Sequence, residues 1–283
     1  MTTGPTRGFI YGRDVTARPT ILVFDSGLGG LTVLRETIRA YPGARYVYVA
    51  DDAFFPYGHH TEAEIVERVV PLIGELIAAH APDLVVIACN TASTLVLDDL
   101  RAAYAVPFVG TVPAIKPACT RSRSKRVSVL GTKGTVAREY TQALIRDFAQ
   151  GCDVTLVGAP RLAALAEAAL AGAPVSDADI AAEIAPAFLD GSERTDIVVL
   201  ACTHYPLLLQ RLIALAPWPV EWIDPAPAIA RRVGHLLGAR PAAGEPRPAE
   251  VIFTSGRARP RLLPRLAPFI TPTVATAETV TPD

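Results

Sequence analysis

The chain has only three lysines, Lys116, Lys125 and Lys133, among its 283 residues. Schiff-base chemistry with pyridoxal phosphate requires a lysine, so this scarcity disfavours a pyridoxal enzyme. Its longest uncharged runs fall short of the roughly 18 apolar residues that span a bilayer, and its first residues lack the long apolar segment of a secretory signal. We therefore expect a cytoplasmic protein that does not bind membranes.

Neither an excess of basic charge nor a metal-binding cysteine pattern is present. The 27 Lys and Arg residues balance 28 Asp and Glu residues, so the charge gives no basis for nucleic-acid binding. Adjacent His59 and His60 lack a matching distal ligand, so no metal site is predicted. The cysteines are widely spaced without a CxxC pair, which predicts free thiols; they are Cys89, Cys119, Cys152 and Cys202.

Short β-branched runs alternate with Ala/Leu-rich helical segments from about residue 20 onward. This alternation predicts an α/β fold of βαβ units, with helices on both faces of a parallel sheet. The pattern predicts a single helix over Gly134–Phe148 and a strand over Val220–Ile223. Residues 1–19 are predicted to be an irregular extension and residues 271–283 a loose tail.

Two segments of the chain follow the same pattern. Val85–Ala92 and Val198–Tyr205 each contain a buried strand that ends in Ala-Cys, then small polar residues, then the start of a helix. This repeat predicts two similar α/β halves, each with a thiol at the carboxyl edge of its sheet. Open α/β sheets bind their ligands at this edge.

The matched positions of Cys89 and Cys202 suggest acid–base chemistry, whereas Cys119 and Cys152 are interpreted as buried structural thiols. Unpaired backbone N–H groups at a helix start favour the thiolate. Two thiols on opposite sides of one substrate could remove and supply a proton and so invert a carbon centre. Because the ordinary thiol pKa lies near working pH, either protonation state is accessible.

Other polar residues lie at predicted strand ends and turns. Asp25 and Ser26 open a glycine-rich turn that lacks the GxGxxG pattern and a Walker lysine, so nucleotide binding is disfavoured. They are candidates to bind an ammonium or carboxylate group, or to cap a helix. Tyr57 and Gly58 lie in a turn before a helix, and His204 is placed to tune the Cys202 thiol.

Taken together, the segments FDSGLGGLTVLRE, PYG, ACNTAS, VPAIKPA, LGTKGTV and ACTHYP closely resemble the bacterial glutamate racemases of the aspartate/glutamate racemase superfamily. The resemblance extends from about Ile21 to Ile270. It implies interconversion of L- and D-glutamate without a cofactor, neither pyridoxal phosphate nor metal, to supply D-glutamate for peptidoglycan. In the family the first cysteine serves the D-enantiomer and the second the L-enantiomer, which correspond to Cys89 and Cys202.

The resemblance also implies the binding residues and the domain arrangement. Substrate contacts carry over to Asp25, Ser26, Tyr57, Gly58, Asn90, Thr91, Thr203 and His204, and assisting groups to Asp25, Glu167 and His204. Two doubly wound domains related by pseudo-symmetry would enclose the substrate in the cleft between them. The first would comprise residues 20–112 and 220–270, and the second residues 113–219.

Two features of the chain differ from the common family pattern. An extension before Ile21 resembles family members that a UDP-linked peptidoglycan precursor activates, so we expect the same activator here. The ADDAFFPYG segment replaces the usual DTARxPYG form. A homodimer is the default expectation for a soluble enzyme of this size.

Three alternative functions predict different observations. An aspartate racemase typically carries Glu at the position of His204. A thiol hydrolase that uses Cys202 and His204 would tolerate Cys89→Ala, whereas a two-base racemase would not. A purely binding or regulatory protein would show no turnover at all.

Overall fold

Two separate parallel sheets form the framework of the computed structural model, which describes residues 18–238, 245, 247–257 and 259–272. The first sheet has the strand order β4-β3-β1-β2-β9 and the second the order β6-β5-β7-β8. The strands are β1 Thr20–Asp25, β2 Arg45–Ala50, β3 Leu84–Ile87, β4 Phe108–Gly110, β5 Arg126–Gly131, β6 Asp153–Gly158, β7 Ile197–Ala201, β8 Glu221–Ile223 and β9 Glu250–Phe253.

Helices cover both faces of each sheet. They are α1 Leu31–Ala40, α2 Glu62–His80, α3 Asn90–Ala103, α4 Ile115–Arg121, α5 Lys133–Ala137, α6 Glu139–Phe148, α7 Leu162–Ala171, α8 Asp177–Ile184, α9 Leu209–Leu215, α10 Ala226–Leu237 and α11 Leu263–Ile270. Short 3-10 helices lie at Tyr57–His59, Ala185–Ala187 and Tyr205–Leu208. The predicted α/β architecture with parallel sheets is confirmed.

Each sheet with its helices is called a lobe below. In the first lobe, α1, α10 and α11 pack on one face of the sheet, and α2 and α3 pack on the other. In the second lobe, α4 and α6 cover one face, and α7, α8 and α9 cover the other. Because both faces are covered, the central strands are buried along their whole length, as β1, β3 and β7 show.

Strand β8 corrects one expected boundary. The expected boundary at residue 220 places β8 in the first domain. In the structure β8 instead pairs with β7 in the second sheet, where Glu221 lies opposite Ile197. The chain therefore returns to the first lobe only after Ile223, through α10. The prediction of a strand at Val220–Ile223 is confirmed by β8. The sequence of a three-residue strand does not indicate which sheet the strand joins.

The predicted helix over Gly134–Phe148 is also corrected. It is divided at Arg138, whose backbone is extended with φ −75° and ψ 143°, so α5 ends before it and α6 begins after it. The guanidinium of Arg138 donates to the carbonyls of Gly134 and Thr91. A long-range contact to the first lobe thus accompanies a break that helical periodicity does not reveal.

Two further expectations concern the ends of the chain. The extension over residues 1–19 and the tail over residues 271–283 lie almost entirely outside the described residues. Helices α4 and α11 were not predicted, because each is short and contains proline.

No helix in the described part of the chain has the length and apolar character needed to cross a membrane.

Asp51, directly after β2, joins four segments of the first lobe. Its fully buried carboxylate accepts hydrogen bonds from Arg68 of α2 at 2.6 and 3.1 Å, from the Tyr57 hydroxyl at 2.7 Å, and from Thr254 after β9 at 2.6 Å. Burial alone would raise the pKa of Asp51, but these donors outweigh it and hold the pKa below its ordinary value.

We expect Asp51→Asn to lower the free energy of unfolding by roughly 1–3 kcal/mol, because an amide cannot accept from all of these donors. Since the folded-state pKa of Asp51 is depressed, its carboxylate stabilises the fold above the ordinary Asp pKa, and this contribution is lost as pH falls through the folded pKa. Urea unfolding at neutral and acidic pH measures both effects.

The matched control is Asp98→Asn, because the Asp98 side chain is fully exposed beside Arg101. We expect no measurable change for this variant. Equal unfolding free energies for Asp51→Asn and the unchanged protein would contradict the role of Asp51 in joining these segments.

Candidate active site

The carboxyl ends of four strands face one another across the boundary between the lobes. In the first sheet β1 and β3 are neighbours, and in the second sheet β5 and β7 are neighbours. The chain leaves each of these pairs in opposite directions, which makes each pair a switch point where open α/β sheets bind ligands. The two segments that contain Cys89 and Cys202 follow β3 and β7.

These segments enclose one small cavity, lined by both cysteines and by side chains from both lobes. The cavity has a volume of ≈ 20 Å³, which is close to the space of a single water molecule. Its lining residues are Ser26, Phe55, Pro56, Tyr57, Gly58, Cys89, Asn90, Thr91, Thr132, Ala163, Cys202, Thr203 and His204. The lobes must therefore separate before a larger molecule can enter.

Most of the predicted contact residues line this cavity. Ser26, Tyr57, Gly58, Asn90, Thr91, Thr203 and His204 all do so. Asp25 and Glu167 are not among the lining residues. Both instead contact residues that line the cavity, so they act on a bound molecule only through their neighbours in this closed arrangement.

Cys89 is the N-cap residue of α3 and is buried. Its Sγ lies 3.5 Å from the backbone nitrogen of Ala92, which donates to it, and 3.5 Å from the Oγ of Ser26. Burial and the charge of Asp25 raise the pKa of Cys89 to about 12, and the Ala92 N–H only partly offsets them. The expectation that the helix start favours a thiolate is therefore wrong for Cys89 in the closed arrangement, where its neutral thiol is favoured.

Cys202 has a different environment. Its Sγ lies 3.8 Å from Nδ1 of His204, and Nε2 of His204 lies 3.0 Å from Oε1 of Glu167. Burial alone would lower the pKa of His204, but its interactions with Cys202 and Glu167 raise it well above the ordinary value. Conversely, burial would raise the pKa of Glu167, but His204 and the Leu28 N–H lower it. The contacts thus favour an imidazolium beside Cys202.

Asp25 connects the two lobes beneath the cavity. Its carboxylate accepts from the backbone N–H of Gly27 and from the hydroxyl of Thr203, each at 3.0 Å. Complete burial raises the pKa of Asp25, although His204 and the hydrogen bonds oppose this shift. Since both oxygens already have partners, Asp25 positions Thr203 in this arrangement.

Asn90 is the polar side chain with the clearest capacity to bind a ligand. It is 2% exposed, and neither its amide nitrogen nor its amide oxygen has a hydrogen-bond partner among the described residues. Leaving both atoms buried without partners costs free energy, which a ligand with an acceptor and a donor would recover. Both atoms belong to a residue that lines the cavity.

Thr132 is a lining residue that sequence analysis missed. Its hydroxyl lies 3.2 Å from that of Thr91 in the other lobe and 3.0 Å from that of Thr135. Thr132 is the first residue after β5, just as Ser26 is the first residue after β1. Its position at the carboxyl end of a predicted strand could have indicated that it lines the site. Phe55, whose ring centroid lies 5.4 Å from that of His204, had no comparable signal.

The glycines after β1 allow the lobes to approach closely. A Cβ atom on Gly27 would lie 2.1 Å from Oε1 of Glu167, and one on Gly29 would lie 2.4 Å from Nδ1 of His204. Their backbone conformations are ordinary, so close approach, and not a positive φ, requires glycine here. Across the boundary the Leu28 N–H donates to Glu167 at 2.7 Å, and the backbone nitrogen of Gly29 lies 3.2 Å from Nε2 of His204.

Within the described residues, no group of three or more His, Cys, Asp and Glu side chains is arranged to hold a metal ion. His59 and His60 accordingly have no assigned role, and the His60 ring stacks on Phe54 with centroids 3.7 Å apart.

Comparison with known proteins identifies the family. The model of the Asp/Glu/Hydantoin racemase family matches residues 24–233. The chain belongs to this family. It is therefore an amino-acid racemase by family, and the match includes both cysteine segments and the glycine-rich turn.

Individual family members show how close the similarity is. The chain is 57% identical to a glutamate racemase of Brucella ovis over 242 residues, which cover 85% of this chain and 87% of that one. A crystal structure of Escherichia coli glutamate racemase, in complex with L-glutamate and the activator UDP-MurNAc-Ala, is 40% identical and has a TM-score of 0.82. That match covers 90% of this chain and 96% of that chain.

A third comparison extends the likeness of fold. Glutamate racemase from Francisella tularensis, solved with D-glutamate, is 22% identical with a TM-score of 0.71. The match covers 90% of this chain and 94% of the Francisella tularensis chain. The two proteins therefore share the fold even at this low identity.

We expect Gly29→Ala to lower racemase kcat/KM by at least about tenfold, since a clash of this depth must displace His204 or the turn. Gly191→Ala is the matched control, because a Cβ there would meet its nearest atom at 3.7 Å. Initial rates together with thermal unfolding separate a local effect from loss of the fold. Unchanged kinetics in Gly29→Ala would contradict the close packing described above.

Proposed function

We propose that the chain is a glutamate racemase that interconverts L- and D-glutamate by two-base proton transfer between Cys89 and Cys202, without a cofactor. The observation that supports this most directly is that the two thiols come from different lobes and line the same cavity. A two-base mechanism requires an acid and a base that reach opposite faces of one carbon.

The different environments of the two thiols support a direction of proton transfer, from the substrate to Cys202 and from Cys89 to the substrate. In the closed arrangement burial favours the neutral thiol of Cys89, which can donate a proton. Cys202 lies beside His204, and we assign it as the proton acceptor. The Cys202 thiolate removes the α-proton of L-glutamate, and the electron pair of the C–H bond remains on the α-carbon and carboxylate. Cys89 then donates its proton to the opposite face, which yields D-glutamate, a Cys202 thiol and a Cys89 thiolate.

The polar lining of the cavity suits an amino acid with two carboxylates. The Asn90 amide nitrogen can donate to a carboxylate and its oxygen can accept from the ammonium group. The hydroxyls of Ser26, Thr91 and Thr203 supply further donors. As negative charge develops on the α-carboxylate during proton removal, such fixed donors stabilise it more strongly than water does.

Closure of the lobes belongs to this mechanism. A cavity of ≈ 20 Å³ cannot admit glutamate, so the substrate enters an open form and the lobes close around it. Closure removes water and brings both thiols to the α-carbon. In the cell, the D-glutamate formed would supply peptidoglycan synthesis in the cytoplasm, in keeping with the bacterial sources of the relatives.

The primary test is incubation of the purified protein with L-glutamate in deuterated water without added cofactor. We expect the optical signal to decay to zero while deuterium enters the α-position of the product. Retained optical signal with L-glutamate, but decay with L-aspartate, would overturn the proposed substrate and favour an aspartate racemase.

Single-thiol variants test the assignment of each cysteine. We expect Cys89→Ser and Cys202→Ser each to lower racemisation by at least about a hundredfold, as removal of a general acid or base does. Cys89→Ser should still exchange the α-proton of L-glutamate with solvent, since Cys202 can remove and return a proton on one face. Cys202→Ser should exchange only D-glutamate. Proton NMR in deuterated water measures both exchanges.

Cys119→Ser and Cys152→Ser are the matched controls, because these thiols pack with the core that covers the second sheet. We expect them to retain racemisation. Full activity of Cys89→Ser would contradict the two-base mechanism and favour a reaction that uses Cys202 and His204 alone.

We also propose that a UDP-linked peptidoglycan precursor activates the enzyme, at a second cavity between α4, β8 and α10. This cavity has a volume of ≈ 590 Å³ and is lined by Arg121, Arg231 and Arg232, whose charges suit a diphosphate. The Thr111 hydroxyl in its wall is buried, and no described residue forms a hydrogen bond with it. The cavity spans the segments that join the lobes, so its occupant can bias their opening.

Assays with and without UDP-N-acetylmuramoyl-alanine test this second proposal. We expect the precursor to raise kcat/KM of the unchanged protein, and the double variant Arg231→Gln/Arg232→Gln to lose most of that increase while its rate without the precursor is retained. Equal rates with and without the precursor in the unchanged protein would overturn the proposed activation.

A further inference from the structure

Arg138 is a buried cation at the boundary between the lobes. Its side chain is 7% exposed, and the residue lies in the second lobe at the extended position that separates α5 from α6. Its Nε donates to the Gly134 carbonyl at 3.0 Å, and its Nη1 donates to the Thr91 carbonyl of the first lobe at 3.1 Å. Neutral acceptors from both lobes thus hold the guanidinium.

The charge of Arg138 is not matched by an equally buried carboxylate. Among the described residues its one ion pair is with Glu62 at the start of α2, whose Oε1 lies 3.9 Å from Nε. The Glu62 side chain is 68% exposed, so solvent screens its charge and the pair contributes little. A buried cation without a buried counter-ion costs free energy, and a negative charge that forms nearby would offset this cost.

The guanidinium lies close behind the wall of the cavity that contains the cysteines. A Cβ atom built on Gly134 would lie 3.6 Å from Nη2 of Arg138. The same atom would lie 3.8 Å from Oγ1 of Thr132 and 3.9 Å from Cα of Gly58. Thr132 and Gly58 line the cavity, as does Thr91, to whose carbonyl the guanidinium donates. The positive charge is therefore near the residues that enclose a substrate.

Two-base catalysis places a negative charge on each thiol in turn. Removal of the α-proton of L-glutamate starts from a Cys202 thiolate, and donation by Cys89 leaves Cys89 as the thiolate. Cys202 lies beside the His204 imidazolium, with Sγ 3.8 Å from Nδ1. Within the described part of the chain, Cys89 Sγ contacts only a hydroxyl and a backbone N–H. The thiol that holds the charge after L-glutamate has reacted therefore lacks a cation in direct contact.

The charges around Cys89 act in opposite directions. Burial raises the pKa of Cys89 most, and the charges of Asp25 and Cys202 raise it further. Burial also lowers the pKa of Arg138, whereas the negative charges of Glu62 and of a Cys89 thiolate raise it. Because this attraction is mutual, Arg138 favours the thiolate of Cys89. Two more ionisable side chains near this thiol are tyrosines that burial keeps neutral by raising their pKa values, Tyr48 on β2 and Tyr57 in the first 3-10 helix.

We propose that Arg138 is a positioning residue whose charge stabilises the thiolate of Cys89, the thiol that removes the α-proton of D-glutamate. This inference rests on the proposed racemase function. Because Arg138 belongs to the second lobe and Cys89 to the first, closure brings the two charges together as the substrate is enclosed. The hydrogen bond to the Thr91 carbonyl also fixes the first turn of α3, whose N-cap is Cys89.

The test uses the exchange reactions of the two single-thiol variants, because the equilibrium constant of one for racemisation ties kcat/KM in the two directions together. In Cys202→Ser, which exchanges D-glutamate through Cys89, we expect Arg138→Gln to lower the exchange rate about tenfold at neutral pH, since a rise of about one unit in the Cys89 pKa reduces the thiolate fraction. The pH profile of this exchange should move to higher pH by the same amount. In Cys89→Ser, which exchanges L-glutamate through Cys202, we expect Arg138→Gln to change the rate by less than about twofold.

Charge-preserving and matched control variants make the exchange test specific. Arg138→Lys keeps the positive charge, so we expect D-glutamate exchange to stay within about threefold. Arg138→Met is a second neutral variant with the same expectation as Arg138→Gln, and thermal unfolding shows which variants keep the fold. Arg146→Gln is the matched control, because Arg146 is an exposed arginine of α6 paired with Glu139, and it should change neither exchange.

Three results would overturn the proposal. Equal losses of D- and L-glutamate exchange in Arg138→Gln would assign Arg138 to lobe closure or to a substrate carboxylate. An equal loss of D-glutamate exchange in Arg138→Lys would show that geometry, and not charge, matters at this position. Unchanged exchange of D-glutamate in Arg138→Gln would remove the role altogether.

A second measurement does not depend on racemase activity. In the triple variant Cys119→Ser/Cys152→Ser/Cys202→Ser, Cys89 is the remaining thiol, and only its thiolate reacts with iodoacetamide. We expect alkylation at neutral pH to be about tenfold slower with Arg138→Gln than with Arg138→Lys, in proportion to the thiolate fraction. Slower alkylation in a protein that exchanges neither enantiomer would reject the proposed function but retain the effect of Arg138 on Cys89. Equal alkylation rates would overturn that effect itself.

Discussion

The approach of the two sheet edges is the constraint on which the site depends. Neither lobe has a complete site, since Cys89 and Asn90 come from one and Cys202 and His204 from the other. The lobes can approach only because Gly27 and Gly29 have no side chains, as a Cβ atom on either would overlap Glu167 or His204. Close approach then allows backbone N–H groups of one lobe to orient side chains of the other.

Much of this arrangement follows from local sequence patterns. Buried β-branched strands followed by small polar residues predict parallel sheets, and the carboxyl edge is where such sheets bind ligands. For that reason the places of Ser26, Asn90 and Thr203 could be anticipated. The signal is strong at these positions because the chain changes from a buried strand to a helix within a few residues.

The remaining features depend on contacts between distant parts of the chain. Strand β8 is too short for its sequence to indicate which sheet it joins, and the break at Arg138 accompanies a hydrogen bond to Thr91 of the other lobe. The protonation of Cys89 was misjudged for a similar reason. The helix-start N–H is a local effect, whereas burial and the charge of Asp25, which lies on the neighbouring strand β1, depend on the tertiary structure.

The buried bonds of Asp51 have a consequence for how the protein is made. Strand β9 lies at the edge of the first sheet, beside β2. Thr254, just after β9, is one of the donors to the Asp51 carboxylate, which also accepts from Tyr57. The whole second lobe, whose last strand is β8, is translated before this segment leaves the ribosome. During synthesis the amino-terminal lobe can therefore complete neither its sheet nor the donors of Asp51 until β9 pairs with β2.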